Sequence, residues 1–275
     1  VGADGQLFEV FSKDLDAERL SQNAQILSQF AESQTGRVYF LPVYSAFTLY
    51  PERLPAFAQE PDERAILAAL GLPESVAVAD AYADFLAHKG EDLYFRTDHH
   101  WTQDGAYLAY RAFCEAAGFA PAEDLAAVES AQPFFGSLFS KAPLWGLAGD
   151  SLRLYEIPRK VQVTYDLEKT ADSLYTLSAL EKKDQYTVFL DGNHARVDIE
   201  TDAGTGKTLV VLQDSFAHAL VPFLANHYDT IVVLDLRYYN LPVSDVLAEH
   251  PGADILLTYN LSWLAQDANL FKLLR

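Results

Sequence analysis

Three short apolar runs in the last quarter of the chain, residues 208–212, 230–234 and 254–258, do most to limit what it can fold into. Each has the length and the Val, Ile and Leu content of a buried strand, and helical spacing follows the first. An open parallel sheet presents the carboxyl ends of its strands to one crevice, where ligands bind. Just beyond the three runs stand Ser215, Arg237 and Asn260. The expected class is α/β, with a hydroxyl, a guanidinium and an amide delivered to a shared edge.

The first half of the chain has the same texture. Apolar positions at Leu15, Leu20, Ala24, Ile26, Leu27 and Phe30 follow the spacing of an amphipathic helix over about 15–33. Residues 37–43, after Gly36, read as a buried strand and 75–80 as a second. Helices are expected over 61–70, ending at Gly71, over 82–89, closed by Gly90, and over 103–117, where Thr102 can cap the start and Gly118 the end. Prolines in Tyr50-Pro51-Glu52-Arg53-Leu54-Pro55 mark an ordered surface loop. Between about 121 and 206 the pattern shifts to scattered prolines around Phe134-Phe135-Gly136 and alternating runs such as 161–165 and 186–190. The turn-forming Asp191-Gly192-Asn193-His194 lies between strand-like runs there. With 275 residues, half of them hydrophobic, the chain suits one α/β domain over 1–275 with a β-rich insertion at about 121–206.

Charge narrows the partners. The 39 acidic residues outnumber 20 basic ones, and the net charge of −19 opposes binding to nucleic acid or to an anionic membrane surface. The single cysteine, Cys114, lies in a helical apolar pattern and excludes an intrachain disulfide or a site of several thiolates. No run of about 18 apolar residues is present to span a bilayer. The chain opens at Val1-Gly2-Ala3-Asp4 and contains no methionine, which predicts a fragment from whose start a signal peptide or anchor has been removed.

The densest polar constellation is Thr97-Asp98-His99-His100-Trp101-Thr102, in a loop just ahead of the helix at 103–117. An acid two residues before a histidine can orient the imidazole and stabilise its charge, making it a general base for a hydroxyl nucleophile. In an extended segment residues two apart share a side, so Asp98 and His100 are expected to interact while His99 points away and supports the loop. Trp101 is expected to pack beneath it. Ser215, at a strand-to-helix junction, is the candidate nucleophile, with helix N-terminal N–H groups for an oxyanion; the plain alternative is a helix N-cap. Asn260 is either an oxyanion donor or a turn and cap residue. Arg237 either clamps a substrate oxygen or pairs with Asp235 or Asp214. For the whole cluster the plain alternative is a hydrogen-bonded loop latch.

Two other motifs point elsewhere. Gly204-Thr205-Gly206-Lys207-Thr208 looks like a phosphate loop, but Thr201 stands where glycine is needed and a strand follows where a helix is required. The letters Asp-His-His also match metal-dependent phosphoesterases of the DHH type, which need further ligands on nearby strand ends. Asp80, Asp214 and Asp235 keep that alternative open.

Together, Thr97-Asp98-His99-His100-Trp101-Thr102, Asp214-Ser215-Phe216 and Asp235-Leu236-Arg237-Tyr238-Tyr239 resemble the bacterial DHHW protein family and, more distantly, the alginate O-acetyltransferases AlgJ and AlgX. The likeness includes Gly5-Gln6-Leu7-Phe8, Tyr50-Pro51-Glu52-Arg53-Leu54-Pro55 and Gly192-Asn193, so it extends over nearly the whole chain. It implies an SGNH-hydrolase-like three-layer α/β/α fold with a mostly parallel sheet and a permuted motif order, the Asp-x-His preceding the serine. Position by position, Asp98 and His100 match the acid and base, Ser215 the nucleophile and Arg237 the substrate-site arginine, while Asn260 falls where a third-block asparagine is expected. The chain departs from the alginate pattern at Gln213-Asp214-Ser215, and the Arg237-Tyr238 region replaces the second-block glycine.

The implied function is O-acyl transfer, with acetyl as the acyl group, to a cell-envelope or exported glycan outside the cytoplasm, or ester hydrolysis from one. A membrane-bound O-acyltransferase would hand over the acyl group, and neither cofactor nor metal is implied. Trp101 and Tyr238 would offer sugar-stacking surfaces and His99 further support. A non-catalytic glycan-binding or assembly protein would need the same pocket and is the alternative.

Overall fold

The Asp16 carboxylate accepts the Arg19 N–H at 2.9 Å and so starts the first helix, α1 (Ala17–Ser33). Strand β1 (Val38–Val43), α2 (Ala46–Leu49), α3 (Glu63–Ala69), β2 (Val76–Val78) and α4 (Tyr82–Ala87) follow. Helix α5 (Gln103–Ala117) is bounded as its sequence predicts: the Thr102 side chain accepts the Gly105 N–H, and Gly118 takes the left-handed conformation at φ 75°. Next come β3 (Ala127–Glu129), α6 (Ser137–Lys141), β4 (Arg153–Tyr155), β5 (Val161–Tyr165), β6 (Lys169–Ala171) and β7 (Arg196–Thr201). The chain then alternates β8 (Thr208–Gln213), α7 (Ala217–Leu224), β9 (Thr230–Asp235), α8 (Val243–Glu249), β10 (Asp254–Asn260) and α9 (Leu261–Leu264). This computed structural model describes residues 1–11 and 15–275.

Among the described residues, eight strands form one sheet in the order β2-β1-β10-β8-β9-β7-β5-β6. The five from β2 to β9 run parallel, and β7, β5 and β6 extend that edge antiparallel. Strands β3 and β4 pair separately. One expectation fails: residues 186–190 form no strand, because a 3-10 helix occupies Gln185–Val188.

Helices cover both faces. In β8, Leu209 and Val211 face the side packed by α5 and α7, while Val210 and Leu212 face α1, α3 and α8. All four are fully buried, which is why the run is apolar throughout instead of alternating. No helix among the described residues is long and apolar enough to cross a membrane.

A proline in an internal strand needs explaining, and β1 contains Pro42. The Phe40 carbonyl accepts the Ala79 N–H on the β2 side, and Phe40 is the last β1 residue paired with β2. Pro42, two residues on, faces the same side beyond the end of β2, so its missing N–H breaks no ladder bond.

The start of β1 lies close to the residues ahead of β10. A Cβ on Gly36 would collide with the Ala253 carbonyl. The Gly36→Ala variant should therefore be destabilised by about 1–3 kcal/mol, seen as a lower urea midpoint with an unchanged far-UV spectrum at low urea.

Candidate active site

The loop between α4 and α5 closes on itself. Tyr94 bridges Trp101, the Phe95 N–H donates to the His100 carbonyl at 3.2 Å, and the Thr102 N–H donates to the Leu93 carbonyl at 2.9 Å. Residues 96–99 form the tip, with Asp98 fully buried. Asp98 Oδ1 accepts both the His100 backbone N–H at 3.0 Å and its Nδ1–H at 2.6 Å. Oδ2 accepts the Ser137 N–H at 2.5 Å. Burial pushes the Asp98 carboxyl up, but the His100 imidazole and these hydrogen bonds outweigh it and hold the group well below the usual carboxylate range. An ionised Asp98 fixes the proton on Nδ1 and leaves Nε2 as the acceptor.

Nε2 faces Ser215. Beyond the end of β8, Asp214 Oδ1 accepts the Phe216 N–H at 3.0 Å and Oδ2 the Asn260 N–H at 2.6 Å, bracing the end of β8 against the end of β10. Burial raises the Asp214 carboxyl to about 6, with the Asn260 N–H pulling the other way. Ser215 sits in the resulting turn, its Oγ 2.8 Å from His100 Nε2. The Trp101 indole donates to the Phe216 carbonyl at 2.9 Å and ties the two segments together. The Ser215 N–H has no acceptor among the described residues. Asp98, His100 and Ser215 line a cleft of about 600 Å³. Such a series can carry a proton from a hydroxyl to an imidazole.

For the other residues singled out in the sequence, the structure separates the packing and capping readings from the ligand ones. Trp101 is 1% exposed and faces no ligand space; the indole on the cleft wall is Trp263, 46% exposed. Tyr238 is exposed but lies outside the cleft lining. Asn260 is buried, donating to the Val43 carbonyl and Ser45 Oγ while its Oδ1 caps the Trp263 N–H, so it is a cap and not an oxyanion donor. Arg237 makes the ion pair considered for it. It lines the cleft, and its Nε bonds Asp235 at 2.9 and 3.1 Å. Burial pulls the guanidinium down, and the Asp235 carboxylate more than offsets this and holds it above its ordinary value.

His99 does not point away. The tip is a turn in which Asp98 accepts the N–H two residues on, so His99 and His100 fall side by side with ring centroids 3.8 Å apart. His99 Nδ1 lies 3.0 Å from Ser137 Oγ.

Asp98, His99 and His100 place three ligand-type atoms together. The further carboxylates that a DHH-type metal site needs are engaged elsewhere: Asp80 with Tyr44 and Arg64, Asp214 with two backbone N–H groups, and Asp235 with Arg237.

Three contributors from the segment after α5 went unnoticed in the sequence. Ser137 reaches Asp98 only because Gly136 precedes it, where a Cβ would overlap the Asp98 side chain. Asp150 accepts the Arg96 N–H at 3.0 Å and the Thr97 N–H at 2.9 Å, fixing the backbone just before Asp98. Tyr186 lies flat on His100 with centroids 3.7 Å apart. The Phe134-Phe135-Gly136 run was the one local signal, a glycine held among aromatic residues.

Burial lowers the pKa of His99 from 6.5 to about 4, helped by the like charge of His100. The folded chain thus resists a proton that the unfolded chain accepts, so His99 lowers stability as pH falls from about 6.5 towards about 4. Between about pH 7 and about pH 4.5 the His99→Asn variant should lose less stability than wild type, by up to roughly 3 kcal/mol. Urea midpoints measured at each pH test this.

The DHHW protein family pattern matches residues 59–234, well over half of the chain. No curated protein sequence matches it. A DHHW family protein from Eubacterium siraeum is similar at 25% identity, covering 98% of this chain and 92% of that one with a TM-score of 0.80. Bacillus cereus PatB1, solved with a sulfonyl adduct, is similar at 21% identity over 99% and 97% of the two chains, also at 0.80. The O-acetyltransferase domain of Pseudomonas putida AlgJ follows at 17% identity over 97% and 92%, with a TM-score of 0.58. The chain has the SGNH-hydrolase-like α/β fold and belongs to the DHHW family.

Proposed function

We propose that the protein is a serine-dependent O-acyltransferase or carbohydrate esterase acting on a cell-envelope or exported glycan outside the cytoplasm, with acetyl as the acyl group. The hydrogen-bonded series from Asp98 through His100 to the Ser215 hydroxyl, opening on a cleft, carries this proposal. His100 Nε2 takes the Ser215 proton as Oγ attacks the acyl carbon, and Asp98 stabilises the imidazolium. The Ser215 N–H, free of any acceptor among the described residues, donates to the oxyanion. As the intermediate collapses, the bond to the departing oxygen breaks, that oxygen takes the proton from His100, and the acyl group stays on Ser215. A sugar hydroxyl or water then gives its proton to His100, takes the acyl group, and the proton returns to Oγ.

AlgJ, whose domain is an O-acetyltransferase on the same fold, supports acyl transfer as the reaction type. Lys141, Asp184, Asn193 and Gln266 line the cleft and suit a hydroxyl-rich acceptor, and the Trp263 ring offers it a stacking face. The glycan acceptor and a membrane-bound O-acyltransferase as acyl source follow the likeness to the alginate enzymes.

A fluorophosphonate probe should label Ser215 in the wild type and fail to label the Ser215→Ala variant. His100→Ala should slow labelling by about 10²- to 10⁴-fold. Acetyl transfer from a small acetyl ester to one member of a glycan panel should depend on Ser215. If the folded protein is not labelled at any pH from about 6 to 9, a range spanning the charge change of a histidine base, the proposal fails, and binding of the same glycans then identifies a non-catalytic glycan-binding protein.

A further inference from the structure

We propose that Tyr186 is a positioning residue for both the base and the nucleophile, an inference that rests on the acyl-transfer function above. Its ring lies over the His100 imidazole with centroids 3.7 Å apart and planes within 3° of parallel. Its hydroxyl donates to the Ser215 carbonyl at 3.2 Å. The ring of His99 lies 3.8 Å from the same imidazole, tilted by 36°. Two rings cannot share one face at those distances, so His100 is held between Tyr186 and His99. The edge of Phe216 closes a third side at 4.8 Å and 63°.

This arrangement answers a specific mechanical need. His100 serves as a relay only while Nδ1 stays on Asp98 and Nε2 on Ser215, and rotation of the ring breaks both bonds together. The flat Tyr186 ring on one face and the tilted His99 ring on the other oppose that rotation. The electrostatics point the same way: the imidazolium formed during reaction meets the electron-rich face of a buried tyrosine. Its other neighbour, His99, is held neutral by burial at neutral pH and adds no second charge. The hydroxyl fixes the carbonyl of the nucleophile itself, so one side chain sets both ends of the 2.8 Å contact. Tyr186 belongs to the 3-10 helix Gln185–Val188, so this support comes from a segment distant in sequence from both groups that it holds.

The test uses Tyr186→Phe and Tyr186→Leu in the full chain. Hydrolysis of p-nitrophenyl acetate gives kcat and KM. Proton NMR of histidine-labelled protein follows the low-field Nδ1–H of His100 bonded to Asp98. Tyr186→Phe keeps the ring and should lower kcat by about fivefold through the lost hydroxyl bond, with the resonance retained. Tyr186→Leu removes the ring and should lower kcat by about 100-fold, leave KM within about twofold and abolish the resonance by exchange. If Tyr186→Leu does not fold, Tyr186→Met takes its place with the same expectations. A folded Leu or Met variant that keeps both kcat and the resonance overturns the inference. So does a rise in KM at unchanged kcat, which would make Tyr186 a substrate-binding residue. A wild type that hydrolyses no ester removes the acyl-transfer function, while the resonance in the three proteins still decides whether Tyr186 holds the imidazole.

Discussion

A fully buried carboxylate must be met by donors within the protein, and Asp98 sets that demand for this chain. Left alone, such a charge costs several kcal/mol. It is met by the His100 backbone N–H, the His100 ring and the Ser137 N–H. Each donor imposes a local geometry. The first bends the loop tip into a turn, the second fixes the tautomer of the imidazole, and the third brings the start of α6 so close that position 136 has to be glycine.

Two other buried aspartates act in the same way. Asp150 holds the Arg96 and Thr97 N–H groups and the Thr97 hydroxyl, and Asp214 ties the nucleophile turn to the end of β10. Asp150 also takes the Arg96 guanidinium at 3.1 Å and Asp98 the His100 ring, yet all three carboxylates bind backbone N–H groups. They work as backbone clamps, and the candidate site is assembled from clamped turns at the carboxyl ends of strands and from one loop. The parallel sheet supplies the fixed points, because the burial of β8 and its neighbours on both faces leaves those strand ends little freedom.

How much of this was legible follows from the range of each interaction. The apolar runs of β8, β9 and β10 announce themselves locally, and so do Thr102 and Gly118 at the ends of α5. Asp98, His100 and Ser215 were legible as candidates because a dense polar loop and a serine at a strand end have few structural uses. His99 was misplaced because an extended geometry was assumed where Asp98 folds the chain into a turn. Trp101 and Asn260 each kept a ligand reading beside a packing or capping one because their partners, the Phe216 carbonyl and the Val43 carbonyl with Ser45, are contributed by remote segments. Ser137, Asp150 and Tyr186 were invisible for the same reason. Their function exists only in the folded contact, 29 to 86 positions from the residues they hold, and apart from the glycine at 136 no local pattern points to it.

The antiparallel strands β7, β5 and β6 lie at the outer edge of the sheet, and the segments between α5 and β7 supply the Ser137, Asp150 and Tyr186 contacts. Tyr186 also belongs to the main hydrophobic core, so there the alignment of the imidazole and the packing of the fold rest on one side chain. Ser137 and Asp150, by contrast, act on the loop of Asp98 and His100 through polar contacts. A local opening of those contacts would misalign the proton relay. Sequence change at Ser137 or Asp150 thus tunes reactivity through the loop, whereas change at Tyr186 disturbs core packing as well.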